Sequence, residues 1–145
     1  MYKHILIPTD GSRLSEDAVR QGIALARSLG AKTTVITVSP FFHTSMLDPG
    51  VIIDTPEGYQ REREALAAKY LGVAELAAKA AGVPFRALHA VHDHPYAAII
   101  EAAEKNRCDL IFMASHGRKG VSALILGSET TKVLTHSKIP VLVCR

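Results

Sequence analysis

The chain has 145 residues, 48% hydrophobic and 21% charged, with a formal net charge of +3, which suits one ordinary globular domain with a sizeable core. No apolar run approaches the roughly 18 residues of a membrane-spanning helix. The basic residues are scattered rather than striped, and no Trp and only 6% aromatics are present, so neither a nucleic-acid footprint nor a base-stacking platform is visible.

In chain order, the first strand signal is Ile5-Leu6-Ile7, reached directly from Met1-Tyr2-Lys3-His4 with no signal-peptide h-region. A cytoplasmic protein is therefore expected. Asp10-Gly11-Ser12 turns the chain into a helix from about Arg13 to Leu29, with Leu14, Ala18, Leu25, Ala26 and Leu29 at helical spacing and Gly30 at its end. Thr33 to Val38 reads as a strand closed by Ser39-Pro40. The segment Pro40 to Thr55 has no clear pattern but carries Phe41, Phe42, Met46, Val51, Ile52 and Ile53. A loop of this length is a lid, an interaction surface or simply a mobile connection, and the sequence does not choose among them. Pro56 to Ala81 follows as a long helix with Leu66, Tyr70, Ala74, Ala77 and Ala81 on one face and Gly82 closing it. Next come a strand from Phe85 to Val91, a helix from Pro95 to Lys105 and a strand from Asp109 to Ala114. A last helix runs from about Ser128 to Thr135, and Val141-Leu142-Val143 is the final strand.

The alternation β-α-β-α-β-α-β-α-β specifies an α/β protein. It implies a single open parallel sheet with right-handed crossovers and helices on both faces. Near-continuous apolar strands fit burial on both sides. Residues 1–145 show no internal repeat and no linker, so one domain is expected. Cys108 and Cys144 fall at opposite ends of their strands, too far apart for a disulfide if those strands are parallel neighbours.

Ligands of open α/β sheets bind beyond the carboxyl ends of the strands, where the strand order reverses. The loops after the first and fourth strands are therefore the places to examine. The first holds Pro8-Thr9-Asp10-Gly11-Ser12. Asp10 suits a ribose hydroxyl, and equally a helix N-cap, which propensity favours. The second holds Gly117, the basic pair Arg118 and Lys119, and Gly127-Ser128 opening a helix. Glycines and a helix N-terminus make an anion cradle, although a plain Gly-rich connection has the same composition. Walker, G-x-G-x-x-G and G-x-S-x-G motifs are absent. His89, His92 and His94 have a spacing that can ligate zinc, but strand alternation separates them. No metal site is assigned. His116 serves either as a donor in the Gly-rich loop or as a packing residue.

Lys3 to Ser12, Asp109 to Ser128 and Ile139 to Val143 together resemble the first strand, nucleotide loop and last strand of the universal stress protein family. The likeness covers essentially the whole chain. It implies a Rossmann-like sheet in the order 3-2-1-4-5 and a homodimer formed by pairing the last strands. An exposed apolar edge at Val141, Leu142 and Val143 would favour such pairing. Nucleotide-binding members carry G-x-x-G-x9-G-[ST]. Gly117, Gly127 and Ser128 match it, whereas Ala114 replaces the first glycine. Glu129 follows where many members are apolar. Its carboxylate suits the helix dipole but would repel a triphosphate unless it points outward or meets Mg²⁺.

By this resemblance Pro8, Thr9 and Asp10 flank the adenosine and the Val38 backbone meets adenine. Met113 and Ala114 lie near the ribose. Gly117, Gly127, Ser128 and Thr130 surround the phosphates, with His116 and Arg118 nearby. The expected cofactor is ATP, alone or with Mg²⁺. The implied function is an ATP-binding stress-response regulator whose nucleotide state alters contacts with a protein partner. The alternative is a non-nucleotide dimeric interaction module with a degenerate phosphate loop. An enzyme has least support, at most a weak ATP hydrolase, because no nucleophile or acid/base pair is visible.

Overall fold

Three consecutive apolar residues in a strand demand cover on both faces, and the first strand receives it. A computed structural model describes residues 1–43, 55–118 and 125–145. Its elements are β1 (His4–Pro8), α1 (Arg13–Leu29), β2 (Lys32–Ser39), α2 (Pro56–Ala81), β3 (Phe85–Val91), α3 (Pro95–Lys105), β4 (Leu110–Ala114), α4 (Ser128–His136) and β5 (Val141–Cys144). The five strands form one parallel sheet in the order β3-β2-β1-β4-β5. This is the expected architecture.

Alternation along the strands divides the core in two. Ile5, Ile7, Val35, Leu110 and Phe112 pack beneath α1 and α2 with Ala18, Ile23, Leu71 and Ala78. Leu6, Ile36, Ile111 and Met113 face the other way, against Ile99 and Ala103 of α3 and Val133 of α4. The edge strands are less covered than β1, β2 and β4. In β5, Val141 and Val143 are half-buried against the second core, and only Leu142 is exposed. The edge is thus less apolar than the sequence pattern suggests.

Two helix faces also differ from expectation. The buried stripe of α1 is Ser15, Ala18, Val19, Gly22, Ile23 and Ala26, while Leu14 is exposed. In α2 the stripe is Ala67, Leu71, Ala74 and Ala78, so that Leu66, Tyr70, Ala77 and Ala81 sit half-buried on its flank. Small residues mark the closest approach of a helix to the sheet, which is why the alanines and Gly22 lie innermost. The strand before the Gly-rich loop begins at Leu110 because Asp109 has a different task. Its carboxylate accepts the backbone N–H groups of Lys3 and His4 at 2.9 to 3.1 Å, tying the start of β1 to β4.

Both cysteines are free thiols. Burial, reinforced by the Asp109 carboxylate, pushes the Cys108 thiol up to about 11, and burial raises Cys144 as well. Neither is a ready thiolate at neutral pH.

Ile111 is fully buried at the centre of the sheet, whereas Leu76 is 71% exposed on α2. Ile111→Ala is expected to lower unfolding free energy by about 2–5 kcal/mol, and Leu76→Ala to change it by no more than about 0.5 kcal/mol. Urea unfolding midpoints measure both.

Candidate functional site

β1 and β4 are neighbours, yet their chains depart to opposite faces. β1 leads into α1 on the first-core side, and β4 leads toward α4 on the second. A crevice therefore opens beyond their carboxyl ends. Here lies a cavity of about 490 Å³. Its floor is Pro8, Ile36, Val38, Met113 and Ala114 from three strands. One wall is Thr9 and Asp10. The other is His116, Gly117 and Arg118 with Gly127, Ser128, Glu129 and Thr130 at the start of α4. All thirteen residues singled out from the sequence line this one space. Lys119 and residues 44–54 of the irregular segment lie outside the described residues.

Asp10 is the joint of the site. Its Oδ1 accepts the Ser12 N–H at 2.9 Å and its Oδ2 accepts the Arg118 N–H at 2.7 Å. The carboxylate so ties the loop after β1 to the loop after β4. The N-cap of α1 is Ser12, not Asp10. A side chain on Gly117 would strike Asp10 Oδ2, its Cβ only 2.6 Å away. Burial pushes the Asp10 carboxyl up, but hydrogen bonds from Ser12, Arg118 and Ser15 outweigh it and hold the group below the ordinary 3.8. The Arg118 guanidinium donates to the Asp10 carbonyl at 3.1 Å and to the Tyr70 hydroxyl at 2.8 Å. Gly11, at φ 76°, lies so close to the Tyr70 ring that a Cβ would be 2.2 Å from it. Glycine is required there on both counts.

The four helix starts are treated differently. Ser12 caps α1 and Thr55 caps α2. α3 has no cap from its own His94, but Glu129 Oε2 accepts the Tyr96 N–H of its first turn at 2.8 Å. Glu129 Oε1 also lies 3.5 Å from Lys132 Nζ. This settles the direction of Glu129. Its charge is committed to α3 and Lys132 rather than to the space before α4. The start of α4 has only Gly127 as N-cap, with no side-chain hydrogen bond. Thr130 Oγ1 donates to the Ala114 carbonyl at 2.9 Å and the Gly127 N–H to the Ser115 carbonyl at 2.8 Å, so α4 is clamped to the end of β4. A Cβ on Gly127 would meet that carbonyl at 3.2 Å.

Ala114 lies in extended β4, and Arg107 alone among the described non-glycine residues has a positive φ. The methyl in place of glycine therefore strains no backbone. His116 is buried, with Nδ1 3.0 Å from Ser115 Oγ. His89, His92 and His94 do not converge: His89 Nε2 meets Ser39 Oγ at 2.8 Å, and His92 Nδ1 accepts the His94 N–H. Among the described residues no group of three His, Cys, Asp or Glu side chains is arranged to hold a metal ion.

Sequence reasoning missed Ser15, Ile36, Asp93, Pro95 and Ile99, which complete the lining. Asp93 and Pro95 follow β3, whose carboxyl end opens on the same crevice, so the argument from strand ends reaches them. Asp93 also accepts the Phe41 N–H at 3.1 Å and His43 Nε2 at 2.8 Å, which brings the start of the irregular segment to the cavity rim. Tyr70 carries no such signal.

The family model for the universal stress protein family matches residues 1–145. The chain belongs to the universal stress protein family. Universal stress protein MJ0531 of Methanocaldococcus jannaschii is 32% identical over 148 residues, covering 100% of this chain and 83% of that protein. The solved structure of MJ0577 from the same organism matches with a TM-score of 0.75 at 27% identity, over 99% of this chain and 95% of that one. A universal stress protein solved in complex with cAMP matches with a TM-score of 0.71 at 26% identity, over 99% and 97%.

Because the Asp10 carboxyl lies below its unfolded value, its contribution to stability is present above about pH 3.8 and is lost as pH falls through the lower folded value. Asp10→Asn is expected to be less stable than the parent at pH 7. The two melting curves should converge as the pH drops below 3.8, and a gap that persists in acid would assign the loss to packing instead.

Proposed function

We propose that this chain binds ATP in the cavity beyond β1 and β4 and acts as a homodimeric, cytoplasmic stress-response regulator. The observation that carries the reading is the open start of α4. Among the described residues it is the helix with neither a capping side chain nor a carboxylate from a neighbour, and it begins at a glycine whose Cβ would press on the Ser115 carbonyl. Free N–H groups at a helix N-terminus, with the helix dipole behind them, suit a phosphate. Arg118 adds a cation at the same wall. Pro8, Ile36, Val38 and Ile99 offer the apolar surface that an adenine ring needs. A relative of 26% identity has been solved with cAMP, which supports an adenine nucleotide as the ligand class.

Asp10, Asp93 and Glu129 are each held by donors of the fold, so no catalytic residue is assigned. Mg²⁺ would enter with the triphosphate, held largely by phosphate and water oxygens. A phosphate at the α4 start would compete for the Arg118 guanidinium, which otherwise joins Asp10 to Tyr70 of α2. Nucleotide state is thereby conveyed to an outer helix, where a protein partner can read it.

The dimer in this proposal pairs β5 with its copy. The Pro140 and Cys144 carbonyls accept from β4, so alternation turns the polar backbone groups of Val141 and Val143 to the open edge.

Calorimetric titration is expected to give micromolar ATP affinity for the native chain. For Gly127→Val it should be at least about tenfold weaker, with thermal melting confirming a folded variant. Absence of binding at millimolar ATP by the native chain would favour the non-nucleotide interaction module. For the dimer, Val143→Pro deletes one outward N–H and Leu142→Glu charges the exposed edge. Both should sediment as monomers where the native chain sediments as a dimer, and a native monomer would overturn edge pairing.

A further inference from the structure

The amino ends of the strands carry a second cavity, of about 280 Å³, lined by His4, Lys32, Arg86, Lys105 and Arg107. Among the described residues its lining contains no Asp or Glu. Lys105 is paired with Glu101 at 2.6 Å on the helix surface, and Arg86 donates only to the neutral Asn106 side chain at 3.0 Å. Lys32 and Arg107 have no ion pair among the described residues. Glu101 matches Lys105, and the Asp109 carboxylate acts on His4 from beside the cavity, so Lys32, Arg86 and Arg107 are the lining cations that no ion pair matches among the described residues. Gathering them around one hollow favours an anion in it.

Arg107 is the second observation. Three helices pass into strands through a left-handed residue, and two of these turns use Gly30 and Gly82, at φ 66° and 69°. The third uses Arg107, at φ 55°, with the Cys108 N–H returning to the Ala103 carbonyl at 2.8 Å. A residue with a Cβ pays about 1 kcal/mol or more for that conformation. A guanidinium stands where the fold otherwise places glycine, and it stands at the cavity.

His4 is the third. It is only 7% exposed, its Nε2 lies 2.7 Å from Thr34 Oγ1, and its buried Nδ1 has no hydrogen-bond partner. The Asn106 carbonyl is near enough to favour a proton on the ring but does not meet Nδ1 in hydrogen-bond geometry. Burial first, then the positive charges of Lys32 and Arg86, lower the pKa of the ring. With Thr34 donating to Nε2, the neutral ring carries its N–H on the buried Nδ1, on the side of the Asn106 carbonyl.

We propose that this cavity binds a small polyvalent oxyanion, a phosphate or pyrophosphate group, independently of the nucleotide cavity at the other end of the sheet. Guanidinium and ammonium groups gathered beside a buried imidazole suit several anionic oxygens at once. Carboxylate ligands of single charge would gain less from the three cations left without an ion pair.

Two histidines report the two cavities separately, His4 in this one and His116 in the other. Titration of the nucleotide-free protein with pyrophosphate at constant ionic strength, followed by imidazole NMR, is expected to move the His4 ring resonances saturably. Inorganic phosphate should do the same more weakly, and chloride should not. Arg107→Gly is the informative variant, because glycine suits the left-handed turn. It should melt no lower than the parent while binding pyrophosphate at least about tenfold more weakly, and Lys32→Gln should weaken it further. The proposal is overturned if millimolar pyrophosphate leaves His4 unmoved or if chloride reproduces the shift. It is equally overturned if the Arg107→Gly and Lys32→Gln variants, still folded, keep the parent affinity.

Discussion

Asp10 sits where the two halves of the sheet part, and its carboxylate is the interaction on which the crevice depends. A parallel sheet read outward from β1 and β4 sends the two following loops to opposite faces, and nothing in the backbone ladder joins them. One carboxylate oxygen holds the turn into α1 and the other holds the backbone at Arg118. The close approach this demands leaves no room for a side chain at Gly117. Arg118 then reaches back over the Tyr70 ring, 5.7 Å from its centroid, and binds the second layer of helices into the same joint. The contact is short and charge-assisted, which is the stronger kind of hydrogen bond.

The unsatisfied N–H groups of the helices are a second constraint, and the chain distributes its caps unevenly. Local serine and threonine serve α1 and α2. The start of α3 is served from outside, by Glu129 of α4. This one contact does two things. It pins α4 to α3 above the second core, and it engages a carboxylate of the cavity wall with a donor of another helix. The helix start that remains open is the one that faces the cavity. A carboxylate in the loop of a phosphate cradle is therefore compatible with anion binding, because its partner lies in another element.

The two ends of the sheet are electrostatically unlike. At the carboxyl ends, the acidic groups around the cavity are matched by donors of the fold. At the amino ends, among the described residues, Lys32 and Arg107 have no ion pair and Arg86 meets only the neutral Asn106 side chain. Part of this follows from the helices themselves. α1, α2 and α3 all finish at the amino ends of the strands, and each has a basic residue in its last turn, Arg27, Lys79 and Lys105, which complements the negative end of a helix dipole. Lys32 and Arg86 belong to strands, and Arg107 occupies a conformation that disfavours it. The dipole does not explain Lys32 or Arg86, and although Arg107 stands just past the C-cap of α3, where a cation is favoured, it does so in the conformation glycine takes in the other two turns.

What the sequence determined by itself is the order and extent of the elements, the parallel sheet and the two loops at which the crevice opens, while its individual lining residues came from the family resemblance. These follow from short-range physics: apolar runs of strand length, helical spacing, Gly30 and Gly82 where a left-handed turn is needed, and the rule that loops at strand ends converge. Leu14 and the Tyr70 face of α2 were misread because spacing locates a stripe without telling which of its residues is nearest the sheet. Only the tertiary structure decided the direction of Glu129, the ease of Ala114, the bridge of Asp10 to Arg118 and the gathering of cations at the amino ends. Each of these joins residues far apart in the chain, 108 positions between Asp10 and Arg118 and 33 between Tyr96 and Glu129. No local propensity encodes such a pairing; it exists because the crossovers of the sheet bring those positions to one place.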